Sequence, residues 1–254
     1  MNFCSSIDFI QLWCYNMNAT IVAITWIGGC IMILYHGSEK IIDAPEFGKG
    51  NSHNDYGKGF YCTENEELAK EWACSNNNNG FANKYEFDMD GLNILYLNSE
   101  NYNLLNWLAV LTKHRTYWEN NTVSELAKKY LAENFMIDTS GFDVIIGYRA
   151  DDSYFSFAQD FVAGAISYRQ LGEAMRLGKL GEQIVLMSEK AFERISYISN
   201  SPAEASVYYK KKKERDRMAR KEYRQTKSES LSPDELLIMD IIREGMKQDD
   251  ERLR

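Results

Sequence analysis

The stretch Tyr56-Gly57-Lys58-Gly59-Phe60-Tyr61-Cys62-Thr63-Glu64-Asn65-Glu66-Glu67-Leu68-Ala69-Lys70-Glu71-Trp72-Ala73-Cys74 decides the fold. Gly57 and Gly59 bracket Lys58 and leave the backbone free to turn tightly or to approach a ligand. Phe60, Tyr61 and Cys62 form a short strand-like run. Thr63 followed by Glu66 has capping-box spacing, which predicts that a helix opens there. Leu68 and Trp72 are four apart and share a face of that helix, with Ala69 and Ala73 beside them. The unit is a glycine loop, a strand and a helix, with Tyr61 on the strand and Trp72 on the helix.

Two other pieces stand at a distance. Leu34-Tyr35-His36-Gly37-Ser38 lies upstream, and Gly181-Glu182-Gln183-Ile184-Val185-Leu186 lies far downstream. Between them, residues 84–88 alternate aromatic and charged side chains, Asp90-Gly91 predicts a hairpin, and residues 94–97 read as its return strand. Helical spacing covers residues 103–114, and Thr122 with Glu125 repeats the capping pattern. Residues 142–146 read as a buried strand, 155–166 and 170–177 as helices, 183–187 as a final apolar strand and 192–198 as another. Ser232-Pro233-Asp234-Glu235 predicts a further helix start.

In this order the three pieces resemble the ADP-ribosyltransferase superfamily, in its poly(ADP-ribose) polymerase-like, His-Tyr-Glu branch. The match suggests a bacterial member from a group carried as a domain of unknown function. The resemblance implies an α+β fold with a split β-sheet and a helical insert between the second and third motifs. It implies NAD as substrate, release of nicotinamide, and transfer of a single ADP-ribose to an acceptor, protein or nucleic acid, that the residues do not reveal. His36 matches the histidine that bonds the adenosine ribose. Gly37 matches the backbone that holds the nicotinamide carboxamide, and Ser38 completes the motif. Tyr61 matches the tyrosine that stacks on nicotinamide, and Trp72 falls near a second aromatic across the ring; packing its helix onto the sheet is the other role open to it. Glu182 matches the catalytic glutamate, whose carboxylate bonds the ribose 2′-hydroxyl. A slip of one position puts Gln183 in the cleft instead, because strand side chains alternate. Ala69 stands where relatives often carry a serine. Leu180 stands where relatives that modify arginine carry Glu or Gln, so arginine is not the expected target.

The same cleft suits an NAD glycohydrolase, with water as acceptor, or a non-catalytic NAD or ADP-ribose reader that needs no Glu182. The resemblance also implies a toxin-like or phage-defence module, with a possible cognate inhibitor protein. Lys58 is placed either on a diphosphate or in solvent. Arg149, Asp151 and Asp152 sit in a polar loop that either contributes to function or serves as an exposed turn.

Composition bounds the alternatives. The chain of 254 residues carries a formal net charge of −8, which argues against a surface that binds nucleic acid throughout. Residues 203–227 hold ten Lys or Arg against four Asp or Glu, either a solvated helix face or a contact for an anionic partner. Five cysteines without regular spacing make no disulfide framework, and the expected compartment is the reducing cytoplasm. No metal-ligand cluster is visible. Residues 1–31 form a hydrophobic extension in which Asp8 alone is charged. Residues 19–34 are too short for a membrane span and lack the basic start of a secretory signal. The expected domain begins near Met32, with an N-terminal anchor as the other option, and no stable membrane association is expected. The domain is assigned to residues 32–200 and a charged helical segment to 201–254.

Overall fold

The computed structural model of the chain describes residues 31–115, 121–150 and 152–253. The expectations for residues 1–30 and for Asp151 lie outside them. The architecture is mixed α+β, with two sheets and, among the described residues, eight α-helices.

The first sheet has three antiparallel strands. β1 (Ile31–Ser38) and β7 (Ile195–Ala203) flank β3 (Gly80–Asp88), where β2 is the Phe60–Cys62 strand of the other sheet. The second sheet runs β2, β6 (Glu182–Leu186), β5 (Val144–Tyr148) and β4 (Ile94–Tyr96); its β4–β5 pair is parallel and the rest antiparallel. The two sheets meet where Tyr35 and Thr63 exchange backbone hydrogen bonds of 2.7 and 3.0 Å.

Strand alternation divides the second sheet between two cores. Phe60, Cys62, Val144, Ile146, Ile184 and Leu186 face the first sheet and pack with Leu34, Tyr85 and Phe87. Tyr61, Ile145 and Val185 face the other way, toward the helices. Those helices are α2 (Leu104–His114), α3 (Thr122–Asn134), α4 (Asp152–Val162) and α5 (Tyr168–Ala174), preceded by α1 (Glu66–Ala73). Leu105 through Leu111 of α2 are all buried, so this helix is core on every side rather than amphipathic. Trp107 at its centre donates its indole N–H to the Tyr148 carbonyl at 3.2 Å, which lets a large polar-tipped ring be fully enclosed. The chain ends with α6 (Glu189–Phe192), the long α7 (Ala205–Ser228) and α8 (Ile238–Glu244).

Several local expectations are corrected. The hairpin predicted around Asp90-Gly91 does not form, because β3 already has β1 and β7 on its two edges. The turn instead hands the chain from one sheet to the other. The cap of α1 is Asn65, whose side chain accepts from the Leu68 N–H at 3.1 Å, while Thr63 is drawn into the bridge with Tyr35. Asn121, not Thr122, caps α3. No helix begins at Ser232; Glu235 there turns inward to accept from Ser167 and Arg169, and α8 starts at Ile238. No helix of the described residues is long and apolar enough to cross a membrane.

Candidate functional site

A cavity of about 360 Å³ opens beside the junction of the two sheets, lined by residues of eight separate segments. Its walls include His36 and Gly37 of β1, Tyr61 of β2, Trp72 of α1 and Gln183 of β6. Asp55 from the glycine loop, Arg115 after α2, Arg149 after β5 and Lys212 of α7 complete it.

His36 donates to the Tyr61 carbonyl through Nδ1 at 2.7 Å and stacks on Phe60 with centroids 4.3 Å apart. A carbonyl only accepts, so Nδ1 carries the proton and Nε2 is left as an acceptor. Burial lowers the His36 pKa, with the Tyr61 carbonyl opposing it, which favours the neutral ring. Tyr61 is fixed at its tip: its hydroxyl donates to the Gly57 carbonyl at 2.7 Å and accepts from the Tyr56 N–H at 3.0 Å. Burial drives its phenol pKa well upward, so the ring is neutral. The loop that grips it depends on Gly57, with φ +80°; a Cβ there would lie 2.7 Å from the His114 ring.

Behind these aromatics lies a buried polar network. Asp55, 5% exposed, receives Arg115 Nε and Nη2 on Oδ1, both at 2.9 Å. Its Oδ2 receives the Ala150 N–H at 2.9 Å and Gln183 Nε2 at 2.8 Å. Gln183, 3% exposed, spends its other N–H on the Tyr148 carbonyl at 3.0 Å. Both partners of the amide nitrogen are obligate acceptors, which fixes the amide orientation and leaves Oε1 as the atom that can accept from a ligand. Arg149, also buried, lays its guanidinium over the Trp72 ring at 3.0 Å.

The structure brings His36, Gly37, Tyr61 and Trp72 together as the three motifs suggested, but it does not bring Glu182 with them. Glu182 shares its strand face with Ile184 and Leu186, not with Val185 and Tyr61, and its Oε1 accepts from Asn98 at 2.7 Å. It lines a different cavity of about 530 Å³ with Thr63, Glu64, Glu66 and Glu67. The one-residue alternation therefore places Gln183 in the cleft. Ser38 also stays outside; its hydroxyl accepts from the Lys40 N–H at 3.0 Å and closes a turn at the strand end. Lys58 is exposed and away from the cavity lining. Gly37 has a structural reason that the motif did not show: a Cβ there would sit 2.0 Å from the Ala69 carbonyl oxygen and 2.9 Å from the Ala73 nitrogen. Its missing side chain lets α1 lie directly on β1.

Asp55, Arg115 and Lys212 are cavity residues that sequence reasoning missed. The only signal for Asp55 is its position immediately before Tyr56, and Arg115 follows a helix end with no motif around it. Among the described residues no group of His, Cys, Asp and Glu is placed to hold a metal ion.

A model of a family described as protein of unknown function (DUF3990) matches residues 32–197. No curated protein and no solved structure matches the chain.

Proposed function

We propose that this chain, which belongs to the DUF3990 family, binds NAD in the cleft between its two sheets and transfers ADP-ribose to an acceptor with release of nicotinamide. One observation carries the reading. Residues from three distant motifs, His36 with Gly37, Tyr61 with Trp72, and Gln183, line a single cavity whose size falls in the range of small-molecule sites.

The chemistry follows from the side chains. Tyr61 offers a flat surface to a pyridinium amide, and Trp72 a second through the face that the Arg149 guanidinium does not cover, with stacking of about 0.5–1.5 kcal/mol beyond buried area. The neutral His36 offers Nε2 to a ribose hydroxyl. Gln183 Oε1 accepts from the hydroxyl beside the reacting carbon, and the Asp55 carboxylate bonded to the same amide holds it in place and polarises it. When the C1′–nitrogen bond breaks, both electrons go to the ring nitrogen and nicotinamide leaves neutral. The cation left on the ribose is captured by the acceptor, which loses its proton. Water as acceptor gives free ADP-ribose, so product analysis separates transfer from hydrolysis. A neutral amide bonds a hydroxyl less strongly than a carboxylate does, by about 1 kcal/mol, which corresponds to several-fold slower chemistry.

A second reading has its own observation. Asp55 is the one carboxylate among the cavity-lining residues, and Arg115 neutralises it. A cleft without a free carboxylate suits a reader that binds NAD or ADP-ribose and leaves it intact.

The test is chromatographic measurement of nicotinamide after mixing protein with NAD. Transfer or hydrolysis predicts release that Gln183→Ala abolishes and Glu182→Gln leaves unchanged. Binding without release supports the reader. Loss of release in Glu182→Gln with a retained rate in Gln183→Ala would sink the assignment of Gln183.

A further inference from the structure

The family match ends at residue 197, yet the cleft has a wall from beyond it. That wall is α7, and the residue it presents is Lys212.

α7 is fastened along α1 and the helical layer. Tyr208 and Lys211 both bond Glu67, Arg215 pairs with Glu71, and Tyr223 stacks on Phe157 with centroids 3.9 Å apart and donates to Asp160. The residues doing this recur at helical spacing: Tyr208, Arg215, Ala219 and Tyr223 form the inward stripe, and Lys212 falls on that same stripe between Tyr208 and Arg215. A lysine on an inward face ordinarily has an acid opposite it. Its exposed neighbours both have partners, Lys211 in an ion pair with Glu67 and Lys213 over the Tyr209 ring. Lys212 is half-buried at the cavity wall and, among the described residues, makes no ion pair or hydrogen bond.

The charge of the cavity points the same way. Its lining holds Arg115, Arg149 and Lys212 against Asp55 alone, an excess of positive charge in a chain whose net charge is −8. A concave site with that local sign concentrates anions. Arg115 is committed to Asp55, and Arg149 is buried with its guanidinium over the Trp72 ring. Of the three cations lining the cavity, Lys212 is the one neither ion-paired nor buried.

We propose that Lys212 binds the phosphate groups of the ligand held in this cleft, so that α7 is part of the binding site and orients the ligand with its diphosphate toward this helix. The assignment rests on the reading that the cleft holds NAD. It replaces Lys58 as the diphosphate contact.

The experiment compares NAD with nicotinamide riboside, which keeps the reactive end and lacks phosphate. Affinities are measured calorimetrically at several salt concentrations for the full chain, Lys212→Ala and Lys212→Arg. The expected result is that Lys212→Ala weakens NAD about tenfold, flattens its salt dependence, and leaves the riboside affinity unchanged. Lys212→Arg keeps most of the NAD affinity. NAD affinity unchanged in Lys212→Ala overturns the assignment while the cleft reading stands. An equal loss for both ligands overturns it too, since that result marks a packing role. Failure of the wild-type chain to bind NAD removes both.

Discussion

Replacing Asp55 with Asn tests the buried network that holds Gln183. The carboxylate accepts four N–H groups on two oxygens: two from Arg115, one from Ala150 and one from Gln183. Asn keeps one oxygen and places an NH2 against two of those donors, whichever way it turns. Two hydrogen bonds are lost and two donors face another donor. Each such orphan costs about 1–3 kcal/mol when buried. Breaking a fully buried ion pair costs about 3–5 kcal/mol, but the Arg115 side chain is 30% exposed and water relieves part of that. The expected destabilisation is therefore about 3 kcal/mol, read as a lower urea midpoint at unchanged slope. Arg115→Met as a second variant, and the double variant, should show coupling rather than additivity, because the two side chains share one interaction. Nicotinamide release should fall with Asp55→Asn, since the Gln183 amide loses the partner that fixes it. Stability within about 0.5 kcal/mol of wild type, the range of an ordinary surface change, would refute the network as drawn.

Other outcomes follow from the same geometry. Gly37→Ala sets a methyl 2.0 Å from the Ala69 carbonyl oxygen; the neighbour is backbone, so α1 must retreat, and the expected cost is about 1–3 kcal/mol in urea unfolding, with weaker NAD binding because Trp72 rides on that helix. Burial lowers the pKa of both His36 and His114, so the unfolded chain binds more protons between their folded values and about pH 6.5. Stability should fall as pH drops through that window and stay level with respect to these groups above it. Denaturation midpoints between pH 5 and 8 check this, His36→Asn should remove part of the slope, and a midpoint rising on acidification would contradict it. Glu182→Gln should leave NAD affinity unchanged in calorimetric titration, since its side chain lines the other cavity.

The sequence made some of this legible because certain residues carry their reason locally. The Leu105, Leu108 and Leu111 spacing announces α2, and the short apolar run of β5 announces a buried strand. Gly57 with Tyr61 marks a loop against a strand, and the three motifs converge because each sits on an element whose type was readable. What escaped depends on partners far along the chain. The Asp90-Gly91 turn looks like a hairpin until β7, arriving more than a hundred residues later, takes the free edge of β3. Glu182 and Gln183 are both plausible at the start of β6, and only pairing of Tyr61 with Val185 decides which one faces the cleft. Thr63 has capping spacing yet is taken by Tyr35. Lys212 is one of four consecutive lysines, and nothing but the docking of α7 singles it out.

The cavity at the junction of the sheets is proposed as an NAD site gripped by Tyr61 and Trp72. Its most direct test is calorimetric titration of NAD into the wild-type chain and into Trp72→Ala. The expected result is saturable one-to-one binding to the wild type that weakens about tenfold when the indole is removed, the loss of a stacking and cation–π surface. A wild-type chain that gives no binding heat, or a Trp72→Ala variant that binds NAD as tightly as the wild type, would contradict it.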